Sequence, residues 1–310
     1  MRLFSSSSFK LALVLVPFVL AAGCASKSVS SGSGARPEFR PKSDNLEAVK
    51  LTEPVLLRLK AQLGRTEKVA YAHRSISKSY EENQLRHEKE EKLNFVSQAE
   101  TLRVDPPDAR NVQRFSQVLS IVKKDGNADL HDFAMPDLGE KLEVTADSTG
   151  TIFKSGDYPA NSVFFVAPMS LPEKPVSIGD TWTMQASWLS LEEMVPYQLD
   201  MVSILKGFWK CGSDTCAEIE ISGDVGFQGP LSKTLQFKSS WHGRIYFAMT
   251  AGTVLWSRVD SDERLVADRI RRDVDSCLEA TLIEPAEMRI AGLASASCEP
   301  VPRTDTQLAK

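Results

Sequence analysis

Short runs in which apolar and polar residues alternate, separated by turn residues, recur along most of this chain. Successive side chains of a strand point to opposite faces, so such runs restrict the chain to a β architecture. Leu199, Met201 and Leu205 alternate with polar or small neighbours up to Gly212-Ser213-Asp214-Thr215, and Ala217, Ile219 and Ile221 return from it. Phe115, Leu119 and Ile121 share one face before Lys123-Lys124-Asp125-Gly126-Asn127. Leu142–Ala146 and Thr151–Phe153 flank the turn Asp147-Ser148-Thr149-Gly150. Leu57–Leu63 alternates strictly, Gly64-Arg65 offers a turn, and Val69, Tyr71 and His73 fall on one face. That pattern predicts a first hairpin. Glu81–Lys92 is highly charged, and both periods fit the residues beyond it; it is read as a long, solvent-facing hairpin. Farther on, Leu235-Gln236-Phe237 leads to Trp241-His242-Gly243, Ile245 and Phe247 run into Thr250–Thr253, and Val254–Val259 runs out. Glu263–Asp273 is expected to continue one long strand into Leu278–Leu282.

Many short strands with Gly, Asn and Asp turns predict a mainly β fold: a single antiparallel open barrel or sandwich with few short helices. Nothing in the composition breaks residues 51–285, so they are read as one domain. Residues 286–310, with Pro300 and Pro302, are expected to form a C-terminal tail.

Ahead of this body, Arg2 and Lys10 precede an apolar run, Leu11–Leu20, that is shorter than the roughly 20 residues a membrane span needs. Small residues follow, the pattern of a secretory signal. Ala21-Ala22-Gly23-Cys24 resembles the lipobox of bacterial lipoproteins, with Ala where that family most often has Leu. The resemblance implies cleavage after residue 23 and lipid on Cys24, hence a membrane partner through the anchor. Several acyl chains hold a protein stably where one does not. Ala25, rather than Asp, then implies a bacterial envelope location at the outer membrane, facing the periplasm or the surface. Residues 24–50 are Ser/Gly-rich and read as a disordered tether that spans about 30 Å.

Export gives the remaining cysteines a meaning. Cys211 and Cys216 bracket the Gly212–Thr215 turn, and a hairpin would set them opposite each other within disulfide reach. Cys277 and Cys298 are then the remaining pair and would staple the tail, although four cysteines allow three pairings. A zinc site at Cys211 and Cys216 would need a second ligand pair, which is missing nearby. The formal net charge is −4, and the signal segment removes only basic residues. Without a basic block the chain is a poor nucleic-acid binder.

The run Leu171-Pro172-Glu173-Lys174-Pro175-Val176-Ser177-Ile178-Gly179-Asp180-Thr181-Trp182 is the most distinctive internal motif. Its prolines forbid a helix and Gly179-Asp180 turns into a strand that carries Trp182 and Met184 on one face. This run, the Asp147–Gly150 turn, Cys216, Gly243, Phe247 and Gly252 resemble a family of bacterial exported proteins known only as a domain of unknown function. The resemblance implies an antiparallel β-rich envelope domain and transfers no activity. Some envelope lipoproteins of similar layout resemble half-open barrels that hold acyl chains. Trp182 and Trp241 are accordingly the candidate ligand-facing residues, with a cavity expected behind them.

No catalytic, metal or cofactor motif stands out. His73, His87, His131 and His242 are isolated, and His87–Glu91 lacks the second histidine of a metalloprotease helix. Three readings follow. One is a non-catalytic module for an apolar ligand or lipid. The second is a structural lipoprotein that binds an envelope protein through a sheet face or edge. The third is an envelope hydrolase, which requires His131 or His242 to meet carboxylates in a cleft.

Overall fold

The computed structural model describes residues 46–162, 170–189, 191, 196–227, 235–290 and 298–299. The signal segment, Cys24 and most of the tether lie outside the described residues. Eleven strands run in chain order: β1 (Thr66–Glu81), β2 (Gln84–Val104), β3 (Arg114–Gly126), β4 (Lys141–Asp147), β5 (Ile152–Ser155), β6 (Thr181–Leu189), β7 (Pro196–Cys211), β8 (Asp214–Phe227), β9 (Leu235–Ala248), β10 (Thr253–Ala267) and β11 (Ile270–Glu284). They form one antiparallel sheet in the order β5-β4-β3-β2-β1-β11-β10-β9-β8-β7-β6. The first and last long strands, β1 and β11, thus pair at its centre. The sheet does not close into a barrel, and there is no second sheet of a sandwich among the described residues.

The sheet is strongly curled, and three short segments show why. Leu59 N–H donates to the Ser148 carbonyl at 2.8 Å, and the next amide, Lys60 N–H, donates to the Gly252 carbonyl at 2.9 Å. Ser148 follows β4 and Gly252 precedes β10, five strand steps away and about 24 Å apart on a flat sheet. Consecutive amides can reach both only if the sheet bends until they lie within about 10 Å. Farther along the rim, Leu171 N–H donates to Thr149 O and Gly179 N–H to Leu205 O. The 3-10 turn Ala160–Ser162 lies against both edge strands, β5 and β6.

Residues 46–65 form a plug across this end of the curl. Leu57, fully buried, joins Leu199, Leu205, Ile219, Ile245 and Phe247 in the larger core on the concave face. The alternation in Leu57–Leu63 therefore reflects an extended segment and not the expected hairpin strand. Its amides bond to loops of several strands, while Lys60 Nζ donates to Met249 O and Thr250 O. Residues 46–50, assigned by composition to the tether, also bond to the sheet. Lys210 N–H donates to Glu47 O and Val49 N–H to Phe208 O, which ties residues 46–50 to β7.

Glu263–Asp273 likewise departs from the expected single strand. β10 and β11 form a hairpin in which Ala267 pairs with Ile270, and Asp268 takes φ 52° in the turn. The Glu81–Ala99 region is the long hairpin read from its charge, with Glu82 and Asn83 at φ 49° and 65° between β1 and β2. A second core sits under β1–β4, where the loop carrying Ala128, Leu130 and Met135 covers Leu93, Phe95 and Ile121.

On the convex face, Cys211–Cys216 and Cys277–Cys298 are both disulfides, with Cα separations of 5.8 and 5.9 Å. The first pair is diagonal and not directly opposed: the tight Gly212-Ser213 turn pairs Cys211 with Asp214, and Cys216 faces Trp209. Both cysteines belong to a small outer core with Tyr246, Trp256 and Ile290. The tail residue Glu299 accepts from Arg258 Nη2 through its carbonyl at 2.6 Å and pairs with Arg74.

Candidate functional site

The concave face is not evenly filled. One cross-strand row reads Phe95, Tyr71, Ala280, Ser257, Ile245, Ile219, Leu205. Its β7–β9 end carries three large aliphatic side chains that pack against the plug. Its centre carries Ala280 and Ser257, which are too small to do so. The small residues Ser97 and Ala99 add to the shortfall on β2. A cavity of about 160 Å³ opens there, walled by β1–β4, β10 and β11 and floored by Leu59, Lys60, Ala61 and Arg65. Close packing is the norm in protein interiors, so a void of this size is a feature that needs a reason.

Its walls are mostly apolar, from Val69, Phe115, Leu119, Val144, Val254 and Leu282. A few polar groups converge among them. Tyr71 stacks on Phe95, with ring centroids 4.5 Å apart, and its hydroxyl bonds Ser97. Burial raises the Tyr71 pKa to about 12, moderated by that hydrogen bond, so the phenol stays protonated. Gln117 Nε2 donates to Thr101 Oγ1 at 3.1 Å. At the floor Arg65 pairs with Glu67, which also accepts from Thr253 Oγ1 at 3.3 Å. Apolar walls with a handful of placed polar groups are the usual composition of a small-molecule site.

Trp182 and Trp241 also face the concave side, but in its other half and not on this cavity. Trp182 Nε1 donates to Ser170 O at 2.7 Å, and Trp241 Nε1 to Ser239 Oγ at 3.1 Å. Trp241 meets Trp188 edge-on at 5.9 Å, beside the stacked rings of Trp188 and Tyr197. Both tryptophans pack against the larger core. The two tryptophans expected to face a ligand thus lie in the filled half of the concave face, whereas the void lies where residues are small.

The histidines are not brought together. His131 Nδ1 lies 3.2 Å from Tyr158 Oη in the 3-10 turn His131–Phe133. Burial, with help from Asp129 and Glu91, raises the pKa of neighbouring Asp132. His242 lies across the sheet on the convex face, opposite Asp260. His73 packs edge-on against Phe133 at 4.8 Å, and burial lowers its pKa to about 4 against a weaker opposing pull from Glu91. Among the described residues, no group of three His, Cys, Asp or Glu side chains is placed to hold a metal ion.

A deeply buried ion pair lies on the opposite face from the cavity. Glu218, 3% exposed, takes Arg244 Nη1 at 2.8 Å and Trp209 Nε1 at 2.6 Å. Fully partnered, it is a structural element of the outer core. No family model, curated protein or solved structure matches this chain, so the site is read from its own geometry.

Proposed function

We propose that this protein is a non-catalytic binding module, held in the bacterial envelope by lipid on Cys24, whose curled sheet shelters an apolar ligand. The observation that carries the reading is the cavity between the plug and the small residues Ala99, Ser257 and Ala280. An apolar void of about 150 Å³ in another protein stays dry and takes up benzene or xenon, so a space of this size is a usable binding volume. The plug links both halves of the sheet and keeps the wall in place around it. The anchor at Cys24 and the tether would hold this body near a membrane, a source of apolar molecules.

Native mass spectrometry of the protein released from the envelope tests the reading. A non-covalent adduct is expected on the wild-type body and is expected to be lost in Ala99→Leu, which fills the void. A bare polypeptide mass in both proteins would remove the ligand.

A second reading, a partner that adds a strand, is supported by one observation. β6 is a nine-residue edge strand with Thr181, Thr183 and Gln185 exposed, and sheet edges are templates for strand addition. Crosslinking from Thr183 to an envelope protein would favour it over the cavity.

A further inference from the structure

We infer that the cavity selects an uncharged ligand: a body about the size of one ring, bearing a single hydroxyl or carbonyl group. The inference rests on the binding-module reading above and specifies the chemistry of that site.

Size sets the body. At about 160 Å³ the space falls below the roughly 300–1,000 Å³ of sites that enclose drug-sized molecules, and matches a void that takes up benzene. A single ring or the end of one aliphatic chain fits; a two-chain lipid does not.

Charge accounting excludes an ionised head. Three charged side chains line the space: Lys60, Arg65 and Glu67. Arg65 is paired with Glu67 and donates to the Ala251 carbonyl at 3.0 Å. Lys60 is held by the Met249 and Thr250 carbonyls at 3.1 and 2.9 Å. Both cations are thus committed to the protein. A carboxylate or phosphate entering the void would lose its hydration and find no free cation, and burying an unpaired charge is strongly unfavourable.

The neutral polar groups supply what remains. Thr101, 2% exposed, accepts from Gln117 through its hydroxyl, which keeps its own proton to donate. Ser257, 4% exposed, also lines the void and brings a hydroxyl to it. Gln117 retains a carbonyl acceptor beside them. One hydroxyl or carbonyl on the ligand can satisfy these groups, whereas a pure hydrocarbon leaves them unanswered.

The test is a methyl-detected NMR titration of the full chain carrying Cys24→Ser, which avoids lipid and detergent, with phenol, toluene and benzoate at pH 7. Phenol is expected to shift the methyls of Val69, Leu119, Val254 and Leu282, and to bind at least about tenfold more tightly than benzoate. Toluene is expected between them, and Gln117→Leu is expected to erase the advantage of phenol over toluene. Benzoate binding as well as phenol would overturn the inference while the binding-module reading stands. Toluene equal to phenol would overturn the polar-head requirement alone. If none of the three moves those methyls, the cavity is not a ligand site and the reading beneath the inference falls with it.

Discussion

Ser148 and Gly252 lie five strand steps apart in the sheet, yet their carbonyls accept from consecutive amides, Leu59 and Lys60, at 2.8 and 2.9 Å. That relationship fixes the curl. The plug is therefore part of the wall's geometry and not a loop laid over a finished fold.

Leu57 anchors the plug in the larger core with no solvent exposure. Leu57→Ala removes its buried methyl groups and leaves a void, which is expected to cost about 3 kcal/mol. Urea unfolding should show a lower midpoint. An unchanged midpoint would mean that the plug is not integral to the cooperative unit.

Gly252 accepts that Lys60 amide in a conformation with φ +64°, and a Cβ there would stand 2.6 Å from the Lys60 nitrogen. Gly252→Ala is expected to destabilise by more than about 1 kcal/mol, from backbone strain and displacement of the plug. Amide exchange at Lys60 should rise more than exchange at the distant Glu82-Asn83 turn.

The Cys277–Cys298 bridge joins residues 21 positions apart in the chain and brings Glu299 to Arg74 and Arg258. Cys298→Ser is expected to lose about 3 kcal/mol, chiefly through the greater freedom of the unfolded chain. Thermal unfolding under non-reducing conditions checks it. Equal melting temperatures for the variant and the wild type would contradict the staple.

His73 has its pKa lowered to about 4 by burial, against an ordinary value of 6.5. Between these values the unfolded chain binds a proton that the folded protein refuses, so stability falls as pH drops from about 6.5 to 4 and this contribution levels off below. The change amounts to at most about 3 kcal/mol. Urea midpoints measured from pH 4 to 7 should slope less steeply in His73→Leu. Identical slopes would show that His73 titrates normally.

Legibility in the sequence followed the physics of each element. Ile219 and Ile221, or Leu199 and Met201, were plain because each strand has one face to bury, and period two records that directly. The cysteine pairs were legible because one pair brackets a turn. Leu57–Leu63 misled because an extended plug and a strand share the same alternation; only the partners of its amides distinguish them, and those are Ser148 for Leu59 and Gly252 for Lys60. The β10–β11 turn was hidden because Asp268-Arg269 contains no glycine, and an aspartate takes the left-handed conformation instead. The cavity was not legible from local pattern at all. It arises from Ala99, Ser257 and Ala280, whose small size matters only once the curl and register of four strands place them around one space, whereas aromatic residues such as Trp182 and Trp241 draw attention wherever they fall.

The most direct test of the curled sheet as a binding wall is a crystal soaked with iodobenzene, whose iodine scatters anomalously. An anomalous peak is expected between Ala99, Leu119 and Val254, absent in Ala99→Leu. Ordered water filling that space, with iodine located elsewhere, for example beside Trp188 and Trp241, would contradict it.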